Sequence, residues 1–162
     1  MKPDLPDGWL SPEEAKELQR LATGKTVLEL GAWKGRSTVV LSEVAKYVVS
    51  VDRHQGIEEV GGEDSLPDYL SAVRKLANVA IVVADFDSIV PLFREEFDLV
   101  YVDGNHDTAS AVNDINLAIR AIKDDGVIAL HDFDFESVQA AAKNVFGVVP
   151  DSLVGSVAAF TV

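Results

Sequence analysis

Val27-Leu28-Glu29-Leu30-Gly31-Ala32-Trp33-Lys34-Gly35-Arg36-Ser37-Thr38 is a short apolar run carrying one acid, Glu29, and then two glycines that bracket a tight loop. A helix-compatible segment follows. Glycine accepts positive φ and has no side chain to hold a ligand off, so such a loop lets the backbone approach a bound molecule. A helix opening near Ser37 aims unpaired N–H groups and a partial positive charge at the same place, which suits a carboxylate or phosphate. The stretch reads as the first strand-to-helix turn of an α/β domain and as a nucleotide-type cofactor site.

The flanking sequence repeats that alternation. Ser11-Pro12-Glu13-Glu14 is a capping box with proline at the first helical position, predicting a helix to about Thr23, stopped by Gly24. Residues 1–10, with their prolines and glycine, predict an irregular arm. Strands are expected at 26–30, 47–52, 79–84, 97–103 and 127–130. Helices are expected at 37–46, 67–77 and 136–146, the second with Leu70, Val73 and Leu76 aligned. A long helix capped by Asp107 or Thr108 carries Val112, Ile115, Ile119 and Ile122 at the 3.6-residue period. Asp125-Gly126 is expected to turn the chain into the fifth strand. Val148-Val149 and 155–162 are expected as closing strands joined by a Pro-Asp-Ser turn, an antiparallel hairpin at one edge. Residues 53–65 are expected as a polar loop, with Glu58-Glu59 and Glu63-Asp64 on a solvated face. The expected fold is α/β: one doubly wound, mostly parallel sheet of seven strands with helices on both faces, as a single domain over 1–162.

Composition narrows the function. With 27 acidic against 14 basic residues the formal net charge is −13, and no basic run offsets it, which argues against a nucleic-acid partner. The absence of cysteine excludes disulfides, thiolate catalysis and Cys-ligated zinc. The N-terminal segment lacks the apolar core of a signal peptide, and no apolar stretch approaches the roughly 20 residues that span a bilayer. A cytoplasmic protein with no membrane partner is expected.

Ligands of open α/β sheets bind outside the carboxyl ends of the strands, near the reversal of strand order. There the sequence places Glu29, Asp52, Asp85, Asp103, His106, His131 and Asp132. Gly31 to Gly35 followed by Arg36 lacks the Gly-Lys-Ser/Thr of a phosphate-binding loop. Trp33 fills the middle position of a G-x-G-x-x-G fingerprint, and Glu29 would repel a pyrophosphate. An acid there suits the ammonium of an amino-acid-like cofactor instead.

Glu29-x-Gly31-x-x-x-Gly35, Asp52 ending the second strand and Asp85 after the third resemble a class I S-adenosylmethionine-dependent methyltransferase. The glycine loop is similar to that of the catechol O-methyltransferase-like branch. Asp103-Gly104-Asn105-His106 with His131-Asp132 resembles small-molecule O-methyltransferases acting on sugars and antibiotics. The resemblance implies a Rossmann-like sheet and S-adenosyl-L-methionine as cofactor. By that likeness Glu29, Gly31, Ala32, Trp33 and Gly35 would hold its methionine part, with Ser37 or Thr38 near the carboxylate. Asp52, with Arg53 beside it, would bind the ribose, and Asp85 and Phe86 would flank the adenine. Asp103 would sit near the methionine end. His106 is the expected general base, because its unperturbed pKa of about 6.5 lies near working pH; His131 is the alternative. Asp103, His131 and Asp132 could hold a divalent cation, Mg or another metal that histidine favours. Trp9 and His54 carry no assigned role. The expected partner is a small-molecule substrate, with a homodimer as an allowed assembly. Two alternatives are a cofactor-binding or oligomerising module without methyl transfer, and a protein acceptor.

Overall fold

A strand covered by helices on both faces is buried on both, and β1 (Thr26–Leu30) is. In the computed structural model, which describes residues 5–56 and 63–162, β1 runs through the middle of a seven-stranded sheet. Its neighbours are β2 (Tyr47–Asp52) and β4 (Phe97–Val102), both parallel to it. Beyond β2 lies β3 (Val79–Val83); beyond β4 lie β5 (Ile122–Leu130), β7 (Val157–Thr161) and the edge strand β6 (Ser152–Val154). The last two run antiparallel, so the sheet is mixed and mostly parallel, as the alternation predicted.

Side chains divide the core by the two-residue period of each strand. Leu28 and Leu30 join Val100, Val102, Ile128 and Leu130 under α5 (Thr108–Ala121) and α6 (Glu136–Phe146). Val27 joins Val48, Leu99, Tyr101 and Ala129 under α1 (Pro12–Ala22) and α2 (Arg36–Ser42). Each valine or leucine so buried contributes roughly 1.5–3 kcal/mol relative to an exposed one. α3 (Leu66–Val73) packs through Tyr69 and Val73 rather than Leu70, which is exposed.

The capping box forms, and one of its members does more than cap. Glu14 Oε2 accepts from the Ser11 N–H at 2.8 Å, and Oε1 accepts from the N–H and hydroxyl of Ser156 in the β6–β7 turn. Burial works against the charge, but the hydrogen bonds from Ser156 and Ser11 outweigh it and bring the carboxyl down to about 2. A depressed carboxyl stabilises the fold above its unfolded value of 4.5 and loses that contribution as pH falls through about 2. Glu14→Gln should therefore cost about 2 kcal/mol at neutral pH, and the gap to the parent should close on acidification, read by urea denaturation at stepped pH.

Several boundaries depart from the expectation, among them the end of α3 at Val73, four residues short of 77. The helix after the glycine loop ends at Ser42, four residues early. A one-turn helix, α4 (Phe86–Ile89), follows β3. Ile122 does not continue α5: its ψ of 144° makes it the first residue of β5, opposite Phe97. The register then slips before Val127 meets Leu99, so Asp125-Gly126 forms an irregularity within β5, with Asp125 at φ 61°. Val148 and Val149 are not a strand; they are 65% and 82% exposed, and the hairpin turns at Gly155-Ser156 instead of at Pro-Asp-Ser. Residues 57–62, with Glu58-Glu59, lie outside the described residues; Glu63 and Asp64 are exposed, as expected.

The chain winds from β1 to β3 on one side and then crosses to β4 on the other. Strand order reverses between β1 and β4, and the crevice beyond their carboxyl ends is the position for a ligand.

Candidate functional site

Gly31 follows β1 and Asp103 follows β4, and the two backbones touch there. Gly31 sits at φ 93°, and a Cβ on it would run into the Asp103 carbonyl. Glycine is required on both counts. The loop that follows is tied to β2 by one side chain. Asp52 Oδ2 accepts from the N–H groups of Ala32 and Trp33 at 2.8 and 2.9 Å, and Oδ1 accepts from His54 N–H at 2.7 Å. Gly31, Ala32, Trp33, Ser37 and Asp52 face a cleft of about 990 Å³.

Glu29 does not face it. The two-residue alternation that sends Leu28 and Leu30 towards α5 sends Glu29 towards α2, where it is fully buried. Its Oε2 accepts from the hydroxyls of Thr38 and Ser50, both at 2.6 Å, and its Oε1 has no partner. Burial pushes this carboxyl up to about 7 against the hydrogen bonds of Ser37, Ser50 and Thr38, and the Asp103 charge adds to the rise. Gly35, packed on Tyr69 and Val73, and Thr38 likewise support the loop from beneath. Glu29, Gly35 and Thr38 are thus the loop's foundation, outside the cleft lining.

The opposite wall gathers the other expected residues. His131 follows β5 and is buried between two carboxylates, with Nδ1 3.4 Å from Asp103 and 3.1 Å from Asp132. Burial disfavours its charged form, but those carboxylates prevail and raise it to about 10. Asp132 is held well below the ordinary carboxylate range, against its burial, by His106 and His131. His106 Nε2 lies 2.7 Å from Asp132 Oδ2, and its ring stacks on Phe135 at 4.9 Å. The Asp132 hydrogen bond raises the His106 pKa. Donor atoms of Asp103, His131 and Asp132 all lie within 4.8 Å of one another.

The remaining walls were only partly anticipated. Asp85 is exposed and faces Arg53 at 3.8 Å, while Phe86 turns into the cleft. His54, at φ 57°, is buried against Tyr69 and hydrogen-bonded to Ser65 at 3.0 Å; burial lowers its pKa. Trp9, on the arm, stacks on Trp33 at 4.5 Å, and Arg36 holds the arm through the carbonyls of Pro6 and Leu10. Asp114 reaches the cleft from α5. An acid between Ala111 and Ala118 on the apolar face of that helix is the signal that marks it.

Residues 28–133 match the family described as methyltransferase domain. A search of curated protein sequences finds no match. Among solved structures, phosphoethanolamine N-methyltransferase 1 from Haemonchus contortus superposes with a TM-score of 0.54 at 24% identity, over 72% of this chain and 25% of its own. The tRNA (m1A58) methyltransferase TrmI from Aquifex aeolicus gives 0.66 at 16% identity, over 89% and 55%. The O-methyltransferase NovP gives 0.71 at 14%, over 91% and 78%. The chain thus spans a quarter to about half the length of the first two. At these identities the likeness is one of fold. Among the described residues no helix is long and apolar enough to cross a membrane.

Proposed function

The chain belongs to the methyltransferase-domain family, and we propose that it is an S-adenosylmethionine-dependent methyltransferase acting on a hydroxyl of a small molecule, a sugar or hydroxylated natural product. The observation that carries this reading is a single cleft joining the Asp52-tied glycine loop to His106 and Asp132. When bound, the cofactor supplies a methyl group on a sulfonium, activated for in-line transfer.

The chain's own residues do the rest. Asp52 spends three of a carboxylate's roughly four accepting positions on backbone N–H groups, so it binds the ribose through the remaining one. His106 gives its Nε2 proton to the Asp132 hydrogen bond, which leaves Nδ1 as the accepting nitrogen. It takes the acceptor's hydroxyl proton there as the new C–O bond forms and the C–S bond breaks. Phe135 holds the ring in plane by stacking. Among the described residues seven aspartates line the cleft against two arginines, Arg36 bound to the arm and Arg53 facing Asp85, so an anionic acceptor such as nucleic acid is disfavoured.

Asp103, His131 and Asp132 also fit a divalent cation. Both ring nitrogens of buried His131 lack a well-formed hydrogen bond, and its spacing to the carboxylates is near the roughly 3 Å between adjacent ligands at 2.1 Å from a metal. A cation there would replace the proton on His131 and polarise the acceptor oxygen.

The experiment pairs binding with turnover. S-adenosylhomocysteine should bind in calorimetry, and hydroxylated sugars and phenols should be screened for its release from the methyl donor. His106→Ala should keep cofactor affinity within about twofold while lowering turnover about 100-fold or more. Undiminished turnover removes His106 from the mechanism.

A further inference from the structure

The Phe86 end of the cleft, where the family likeness would place the adenine, has an acid that the likeness did not point to. Asp114 is 6% exposed, lines the cleft, and sits in the second turn of α5. Its carboxylate abuts the Cα of Gly104, where a Cβ would collide with it, and Phe86 Cε2 would lie 3.3 Å from that same Cβ. A side chain at 104 would meet both, so glycine lets the Phe86 ring and the Asp114 carboxylate pack at one corner of the cleft. The corner is braced, because Asn113 Nδ2 donates to Asp87 Oδ1 at 3.0 Å and so ties α5 to α4.

We propose that Asp114 accepts the hydrogen bond of the cofactor's adenine amino group and so selects adenine over other purines. The inference rests on the S-adenosylmethionine reading above. A buried carboxylate with spare accepting capacity favours a ligand that brings a donor, and one that brings another acceptor is rejected. Of the cofactor's donors, the ribose hydroxyls fall to Asp52 and the ammonium belongs beside Gly31 and Asp103, which leaves the amino group of the base for Asp114. Asp85, the acid that the likeness assigns to this end, is 70% exposed and faces Arg53. It stands at the solvent-facing rim of the cleft. Burial, reinforced by the Asp87 charge, pushes the Asp114 carboxyl up to about 7, so the binding test belongs above that pH.

The test compares S-adenosylhomocysteine with S-inosylhomocysteine, in which a 6-oxo group replaces the amine, by calorimetry at pH 8. The parent protein should prefer the adenine compound by about 30-fold or more, since the oxo group meets a carboxylate. Asp114→Asn offers an amide N–H to the oxo group and should bring the two affinities within about threefold. An unchanged ratio in the variant overturns the assignment. Should Asp114→Asn fail to fold, the parent alone decides. Protonated near pH 6, the carboxyl can donate to the oxo group, so the preference should shrink by about fivefold or more from pH 8. A preference that does not change overturns the assignment. Failure of the parent to bind S-adenosylhomocysteine at all would instead overturn the cofactor reading beneath it.

Discussion

Gly31→Ala should lower stability by about 2–5 kcal/mol, because two costs add at one atom. A non-glycine residue at φ 93° is strained by roughly 1–2 kcal/mol, and forcing extra bulk into a packed contact costs about 1–3 more. Here the contact is the Asp103 carbonyl, a backbone atom of the neighbouring parallel strand, which cannot rotate away. Gly24→Ala separates the terms. Gly24 sits at φ 71° with nothing within 4 Å of a built Cβ, so it should show the strain alone. Urea denaturation of both variants decides the matter: equal losses would mean that β1 and β4 do not approach at Gly31 as described.

Asp52→Ala should weaken S-adenosylhomocysteine binding about 100-fold, close to 2.7 kcal/mol. Three backbone donors lose a charged acceptor at once, and hydrogen bonds to charged groups contribute about 1.5–3 kcal/mol each. Part of the effect is direct, through the ribose. The larger part is order, because the N–H groups of Ala32 and Trp33 set the loop's path before any ligand arrives. Calorimetry on the variant is the measurement, and an affinity within about threefold of the parent would show that the loop holds its shape without Asp52.

These two residues were also the most legible. A glycine after an apolar run and an acid at the end of the next strand are local signals, and parallel pairing brings them together without further information. Glu29 was misread because sequence alone leaves it beside the loop in either orientation. Only the helix layers on both faces show that the side of β1 shared by Val27 and Glu29 looks to α2, away from the cleft. Ile122 was misread because one buried side chain satisfies the helical period and the strand start equally well. Asp114, His54, Trp9 and Phe135 stayed unassigned because each depends on distant partners: Gly104, Tyr69, Trp33 and His106. His106, His131, Asp103 and Asp132 do converge, since β4 and β5 are adjacent and parallel and both end at the cleft.

The stacking of Trp9 on Trp33 has an optical consequence. These are the chain's two tryptophans, and they form one pair at the cleft rim, with Lys34 Nζ 4.8 Å from the Trp33 ring centre. Indole emission from this protein therefore originates at the junction of the arm and the glycine loop and nowhere in the core. Its wavelength and intensity will register the arm lifting or a ligand settling on the loop before any global unfolding, which gives the molecule an intrinsic fluorophore at its own site.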